Sequence, residues 1–372
     1  MSSNKRIFYA CQAVGIANMG ESTFDTDDMV HGLQSVGMTT NFNLEQAFEL
    51  GQIEIYENIE GTPDVEVTLE KVLDGYPLIY HLATTGVGTG SKLLANRSKQ
   101  RCDLRLAILD EGNNNISLSS PEVEVYCSGL YVSSVSYSMP TDGNCTESVT
   151  LVGNEKQWLT TGHGLDATDF DDFNGTDSPV SSGDGGVQRR EDVMLNNSIL
   201  PVAIQGVNGN GVGNGWDSTN GIPRVHLQSI NISTDFSREE VLELGRKAPY
   251  YRPANFPIEV TCEIEAITTS GDFIGAYEYG DPALFSEPTT SGNNTGEEKI
   301  YIELRAGYGF DLGIKNRLSS VSYGGGDAGG GNATTTYSYT NFNDLDVQHS
   351  GSAHSATTYH FTKLGLGANA DS

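Results

Sequence analysis

The segment LQSVGMTTNFNLEQAFELGQ, residues 33–52, returns as LQSINISTDFSREEVLELGR, residues 227–246, with nine of twenty positions identical and no gap. Unrelated chains of ordinary composition would share about one or two such positions. The surroundings keep the same order. Ala10, Gln12 and Val14 answer Ala203, Gln205 and Val207, VEVT at 65–68 answers IEVT at 258–261, and SSVSY stands at both 133–137 and 319–323. The chain therefore reads as two copies of one domain, residues 1–158 and 197–372, each long enough for its own core. Between them, 159–196 reads as an acidic, Gly/Ser/Asp-rich linker or arm. Its stretch 164–186 holds six Asp and no Lys or Arg. Asp169, Asp171 and Asp172 do not continue as a calcium loop, because Phe173 and Asn174 occupy positions that need a ligand and a glycine. A solvated linker is the simpler reading.

Within each copy the pattern is mainly β. LQSVGMTTNF and LQSINISTDF are rich in β-branched residues, and Gly, Thr, Ser, Asn and Tyr abound throughout. Each strand is expected to run into one short helix. Ser237 with Glu240 resembles a capping box, Asn43 with Gln46 a weaker one, and Gly51 and Gly245 stand where left-handed stops belong. Helices that short need Leu44, Ala47 and Phe48, or Val241, Leu242 and Leu244, to pack on a sheet.

Two alternating strands follow, PDVEVTLEKVL and FPIEVTCEIEAI. Each puts aliphatic residues on one face and Asp64, Glu66, Thr68 and Glu70, or Glu259, Thr261, Glu263 and Glu265, on the other. Ordinary exposure accounts for such a wet acidic face as well as function does. Farther on, 318–347 reads as two Tyr/Thr/Val strands around a Gly-rich tip, Gly324 to Asn332. That tip is expected to be either free in solution or ordered by a neighbouring subunit.

Charge excludes one large class of function. Against 49 Asp and Glu stand 21 Lys and Arg, a formal net charge of −28. Nucleic-acid binding by counterion release needs the opposite balance. Repulsion of DNA stays open, as does simple solubility.

Chemistry-bearing motifs are absent. GVGTGSK at 86–92 lacks the glycine that must precede Lys92 in a phosphate loop. The seven histidines, including the loose C-terminal group His349, His354 and His360, make no strong metal spacing, and no nucleophile elbow occurs. Paired carboxylates for glycoside cleavage carry no local signature, so an enzyme of that kind is the most remote alternative. Cys11, Cys102, Cys127, Cys145 and Cys262 form an odd, scattered set that suits free thiols; Cys127 and Cys145 are spaced to meet across a hairpin. The opening residues are too mixed for a signal segment, and no run of eighteen apolar residues occurs. No catalytic, metal or cofactor site is expected.

The run QSINISTDFSREEVLELGRKAPYYRPANFPIEVTCEIEAITTSGD and the hairpin SSVSYGGGDAGGGNATTTYSYTNFNDL resemble the tail tube (major tail) proteins of tailed bacteriophages. The resemblance covers most of the second copy and, more weakly, the first. It implies a β-sandwich or barrel with one short flanking helix, built into stacked rings of six domains around a channel. Two fused domains would make the ring a homotrimer. The implied setting is the virion tail, with assembly in the host cytoplasm. Implied partners are further copies of the chain, tail terminator and baseplate proteins, a sheath where one exists, and tape-measure protein and double-stranded DNA passing through the lumen unbound. Candidate lumen-facing residues are Glu66, Thr68, Glu70, Glu259, Thr261, Glu263 and Glu265. Candidate inter-subunit residues are Gly324, Asp327, Gly330 and Asn332. Two readings compete: another tail ring, such as a tube terminator or baseplate component, and a β-rich adhesin or carbohydrate-binding module using Trp158 and Trp216.

Overall fold

A computed structural model describes residues 7, 9–20, 28–84, 94–109, 121, 123–160, 186–195, 198–201, 204, 216, 217, 222, 223, 226–267, 297–325 and 331–349. The strands are β1 (Gln12–Asn18), β2 (Leu33–Asn41), β3 (Leu44–Phe48), β4 (Ile55–Glu60), β5 (Asp64–Val72), β6 (Cys102–Ile108), β7 (Val123–Pro140), β8 (Thr146–Gly153) and β9 (Glu155–Thr160), followed by β10 (Trp216–Asp217), β11 (Ile222–Pro223), β12 (Leu227–Asp235), β13 (Glu259–Ile267), β14 (Tyr301–Glu303), β15 (Tyr308–Asp311), β16 (Arg317–Gly324), β17 (Thr334–Phe342) and β18 (Asp346–His349). Two short helices, α1 (Ile79–Ala83) and α2 (Leu94–Arg97), complete a mainly β fold.

Eight strands run side by side in the order β16-β17-β13-β12-β7-β8-β5-β2. Every neighbouring pair on that path is antiparallel. The order is one four-strand arrangement used twice in the same direction. β7-β8-β5-β2 matches β16-β17-β13-β12, and both carry SSVSY on the first strand of the unit and the repeated LQS segment on the last. Even the irregularities recur. The ladder slips between Leu33 and Ser35 as between Leu227 and Ser229, and between Val132 and Ser134 as between Leu318 and Ser320. β-Bulges are placed by specific local sequence, so equivalent bulges mark equivalent strands.

The ladder corrects one sequence match. Ser35 stands opposite Glu70 and Ser229 opposite Glu265, so Val65 answers Val260 rather than Ile258. The displacement is two residues, a full side-chain period, and so each side chain keeps its face.

The 18-residue β7 belongs to two arrays. Its C-terminal half sits in the eight-strand path, while its N-terminal half pairs with β6 and β9, with β1 beyond β6. β14-β15-β18 forms a separate small sheet. These arrays close over the apolar face of the eight strands. Val67, Leu69, Val149, Ile232, Cys262 and Ile264 share one buried cluster with Ile16, Leu104, Val125, Ile302 and Phe310. Fully burying each such side chain stabilises by about 1.5–3 kcal/mol relative to leaving it in water. All five cysteines are free and buried, so Cys127 and Cys145 do not pair.

The expected helices after β2 and β12 do not form. Residues 44–48 are strand β3, hairpinned to β4, and 237–245 hold neither helix nor a named strand. Asn43 and Ser237 both adopt positive φ (45° and 44°), which excludes a helix start. Each amide is taken by the side chain two residues back, Asn41 Oδ1 at 3.2 Å and Asp235 Oδ1 at 2.7 Å. The chain thus leaves each strand through an Asx turn. Leu44, Phe48, Leu242 and Leu244 have no sheet beneath them and are exposed. Gly51 and Gly245 are left-handed as expected, but in turns.

The helix that does form borrows its cap. Leu78, which precedes α1, has no side-chain hydrogen bond to offer. Instead the fully buried Glu147 of β8 accepts the amides of Ile79 (2.7 Å) and Tyr80 (3.2 Å) and the Tyr137 hydroxyl (3.1 Å). Lys71, also fully buried, is its cross-strand partner and donates to the Pro77 carbonyl, with Asp74 at 3.3 Å. The loop before α1 is tied to the small sheet. The Gly75 amide donates to Tyr308 Oη, that hydroxyl donates to the Tyr76 carbonyl, and His349 Nε2 meets the Gly75 carbonyl at 2.9 Å.

Candidate assembly surface

The eight-strand sheet has one covered face and one bare face, and alternation dictates what the bare face carries. Along β5 it shows Glu66, Thr68 and Glu70, all exposed. Along β13 it shows Glu259 and Glu263, exposed, with Thr261 and Glu265 half-buried. The ladders set hydroxyls around these acids. Glu70 lies between Ser35 and Ser148, Thr68 between Gly37 and Thr150, and Glu263 between Asn231 and Ser338. Ser136 and Ser233 bridge the middle of the sheet side by side. The result is a carpet of short polar side chains with two acidic columns four strands apart, about 19 Å at ordinary strand spacing. The seven residues anticipated as lumen-facing thus share one face. Of the four anticipated inter-subunit residues, Gly324 and Asn332 are exposed at the ends of β16 and before β17, while Asp327 and Gly330 lie outside the described residues. The 159–196 arm up to residue 185, GVGTGSK, and the C-terminal His354 and His360 lie largely or wholly outside them too.

Both outer strands of the path, β16 and β2, have one unpaired edge among the described residues. Exposed apolar residues gather near β2: Phe42, Leu44, Phe48, Leu50, Ile53 and Tyr56 on the β3–β4 arm. The corresponding stretch after β12 exposes Leu242, Leu244 and Tyr250. Exposed apolar groups this concentrated mark contact surfaces.

Where β12 meets β7, the two four-strand units join, and two arginines latch the seam. Arg238 donates to the Val132 carbonyl (2.9 Å) and the Arg252 carbonyl (3.0 Å), and its guanidinium lies over the Tyr131 and Phe236 rings. Arg252 binds Asp64 from one unit and Glu240 from the other, and Asn154 Oδ1 at 3.2 Å. Burial pushes Asp64 up, but hydrogen bonds from Asn43 and Arg252 and the guanidinium charge outweigh it and hold the carboxyl below its ordinary range. Glu240 goes the other way, raised by burial and by the Asp64 charge beside it. Neither arginine carried a sequence signal, since the hydrogen bonds and ion pairs that each makes go to residues more than ten positions away. Replacing Arg252 by Ala leaves two carboxylates facing each other. Both are partly exposed, so the expected loss is about 1 kcal/mol in a denaturant titration, shrinking at high salt. An unchanged midpoint at low salt would remove the latch.

No three His, Cys, Asp or Glu side chains converge as a metal site among the described residues. No helix among them is long and apolar enough to cross a membrane. Trp158 is 59% exposed on β9.

No family model matches the sequence, and no curated protein matches it. Several solved structures align with part of the chain, three of which follow. The tube-terminating cap of the anti-feeding prophage aligns at TM-score 0.32 and 15% identity, covering 43% of this chain and 95% of that one. The six-fold symmetrised anti-feeding prophage baseplate aligns at 0.30 and 12%, covering 43% and 99%. The sheath–tube complex of an extracellular contractile injection system in its extended state aligns at 0.31 and 12%, covering 43% and 95%. TM-scores of this size describe partial superposition.

Proposed function

We propose that the chain is a structural subunit of a phage-type tail tube, with residues 1–158 and 197–372 as two copies of one tube domain joined by the 159–196 arm. Three chains close into a ring of six domains, and rings stack into the tube. One observation carries this reading: a four-strand unit used twice, head to tail, in one sheet with a bare polar face and two open edges of different kind. A repeat that continues in one direction makes heterologous contacts, which end only by closing into a ring. Closure also removes edges that would otherwise invite aggregation. Three chains supply 24 strands, about 115 Å around at ordinary spacing, far more than side chains fill; barrels of 16–18 strands already leave an aqueous channel.

With the bare face inward, the channel wall is hydroxyls and carboxylates, in a ring of formal charge −84, three times −28. Among the described residues of this face Arg317 is a cation, paired with Glu297 at 3.4 Å, so DNA meets a wall in which carboxylates outnumber positive charges. The field decays over about 8 Å at physiological salt, so the wall acts only at close approach, which is all that passage without sticking requires. Tape-measure protein would share that channel, and terminator, baseplate and sheath proteins would meet the tube's ends and outer surface.

Electron microscopy of the purified protein tests this directly. Tubes or threefold rings are expected, and monomers at every concentration overturn the reading. Replacing Glu66, Glu70, Glu263 and Glu265 by Lys together is expected to leave tubes intact and slow DNA ejection at low salt. Equal ejection rates would strip these residues of their role. The exposed Trp158 favours a second reading, a glycan-binding module, which predicts glycan-array signal without self-assembly.

A further inference from the structure

The seam inside the chain is a template for the seam between chains. The repeat places Phe42 where Phe236 stands, and Tyr323 where Tyr137 stands. At the β12–β7 seam these side chains are buried, Phe236 at 0% and Tyr137 at 1% exposure. At the open edges their equivalents are bare, Phe42 at 57% beside β2 and Tyr323 at 67% on β16. Same residue, same strand position and opposite exposure point to what packs against each site: both buried residues have a neighbouring strand that both bare ones lack, and Tyr137 is further covered by Phe310 at 4.6 Å and bonded to Glu147. Ile232, fully buried opposite Tyr137, likewise has the half-buried Met38 as its equivalent.

From this we infer that β2 of one chain pairs antiparallel with β16 of the next, in the register of the β12–β7 ladder. That ladder sets Thr234 opposite Val135, Ser233 opposite Ser136, Ile232 opposite Tyr137 and Asn231 opposite Ser138. Carried over, it sets Thr40 opposite Val321, Thr39 opposite Ser322, Met38 opposite Tyr323, and Gly37 opposite Gly324. The occupant of each edge is a second copy of this chain, because only that copy presents the complementary edge. The contact is not identical to its template. Leu44, exposed, takes the place of Arg238, and the partly buried Leu318 takes the place of Val132, so an apolar contact replaces the arginine latch. The inference rests on the ring reading and specifies its joint.

Cysteine pairs in the full chain test the register, since the five native thiols are buried. Directly opposite strand residues have Cβ atoms about 4.5–5.5 Å apart, diagonal ones about 7–8 Å, and a disulfide needs about 3.5–4.5 Å. Opposite pairs alternate between wide and narrow, so both T39C/S322C and T40C/V321C are oxidised, with the slipped pair T39C/S320C alongside. One of the two in-register variants is expected to give covalent trimers at least fivefold above the slipped pair. Tubes in which the slipped pair links best, or in which neither in-register pair links, overturn this register and leave the ring reading standing. Failure of the unsubstituted protein to form rings or tubes overturns both.

Discussion

Chains carrying Tyr323→Glu are expected to fold normally and to form no tubes at concentrations at least a hundredfold above those at which the unsubstituted chain assembles. The side chain is two-thirds exposed in the single chain, so its replacement there changes stability by no more than about 0.5 kcal/mol. At the seam it would place a carboxylate against Met38 of the next chain, and an unpaired buried charge costs several kcal/mol. Each 1.4 kcal/mol is a factor of ten in association, and a trimeric ring repeats the cost at three seams. Phe42→Asp is expected to do the same from the other edge. The two variants carry complementary information when mixed. A Phe42→Asp chain keeps a sound β16 edge and a Tyr323→Glu chain keeps a sound β2 edge, so together they should form heterodimers that go no further. Sedimentation velocity reads this directly. Tubes from either variant alone, or a mixture that stays monomeric while the unsubstituted chain assembles, would remove these edges from the ring.

The largest loss of folding stability is expected at Glu147. Truncation to Ala strands two helix amides and the Tyr137 hydroxyl in the core and removes the carboxylate opposite Lys71, which keeps only Asp74 and the Pro77 carbonyl. Removing one member of such a buried set costs about 3–5 kcal/mol, a large share of the roughly 5–15 kcal/mol that holds a domain together. An unfolding free energy lowered by less than about 1 kcal/mol in a denaturant titration would show that water replaces the carboxylate. The pH dependence gives a second readout. Burial raises the Glu147 carboxyl above its ordinary 4.5, against the pull of Lys71 and its hydrogen bonds. A raised folded-state value means that the native chain binds the proton more tightly than the unfolded one. The associated stability is fully present below pH 4.5 and is lost as pH rises through the folded-state value. Glu147→Gln keeps the shape and cannot ionise, so its stability should fall less over that interval than that of the unsubstituted chain.

How much of this was legible beforehand differs from element to element. β5 and β13 were readable because alternation is a local property: one aliphatic face must be buried, and the acids follow on the other. The β16–β17 hairpin was readable from Tyr/Thr-rich strands on either side of a glycine run. The stretches after β2 and β12 depart from the helical pattern of their sequence, because capping residues and apolar spacing suit a helix only where a sheet lies underneath. At β2, a strand on the sheet's edge, the chain turned away through Asn43 and paired with itself. The true helix α1 lacked a cap in its own sequence, since Glu147 supplies one from a strand more than sixty residues on.

The seam residues illustrate the same divide. That Phe42 repeats Phe236 and Tyr323 repeats Tyr137 is written in the chain, yet nothing local says that one of each pair is buried and the other bare. Strand neighbours decide that, and strand neighbours are a long-range property. Repetition, face polarity and net charge are properties of the linear order and composition that need no knowledge of which segments touch, so the sequence alone determined them. The order of the strands, the fusion of two units into one sheet, the arginine latch and the identity of the open edges depend on which distant segments meet, and only the tertiary structure decided those.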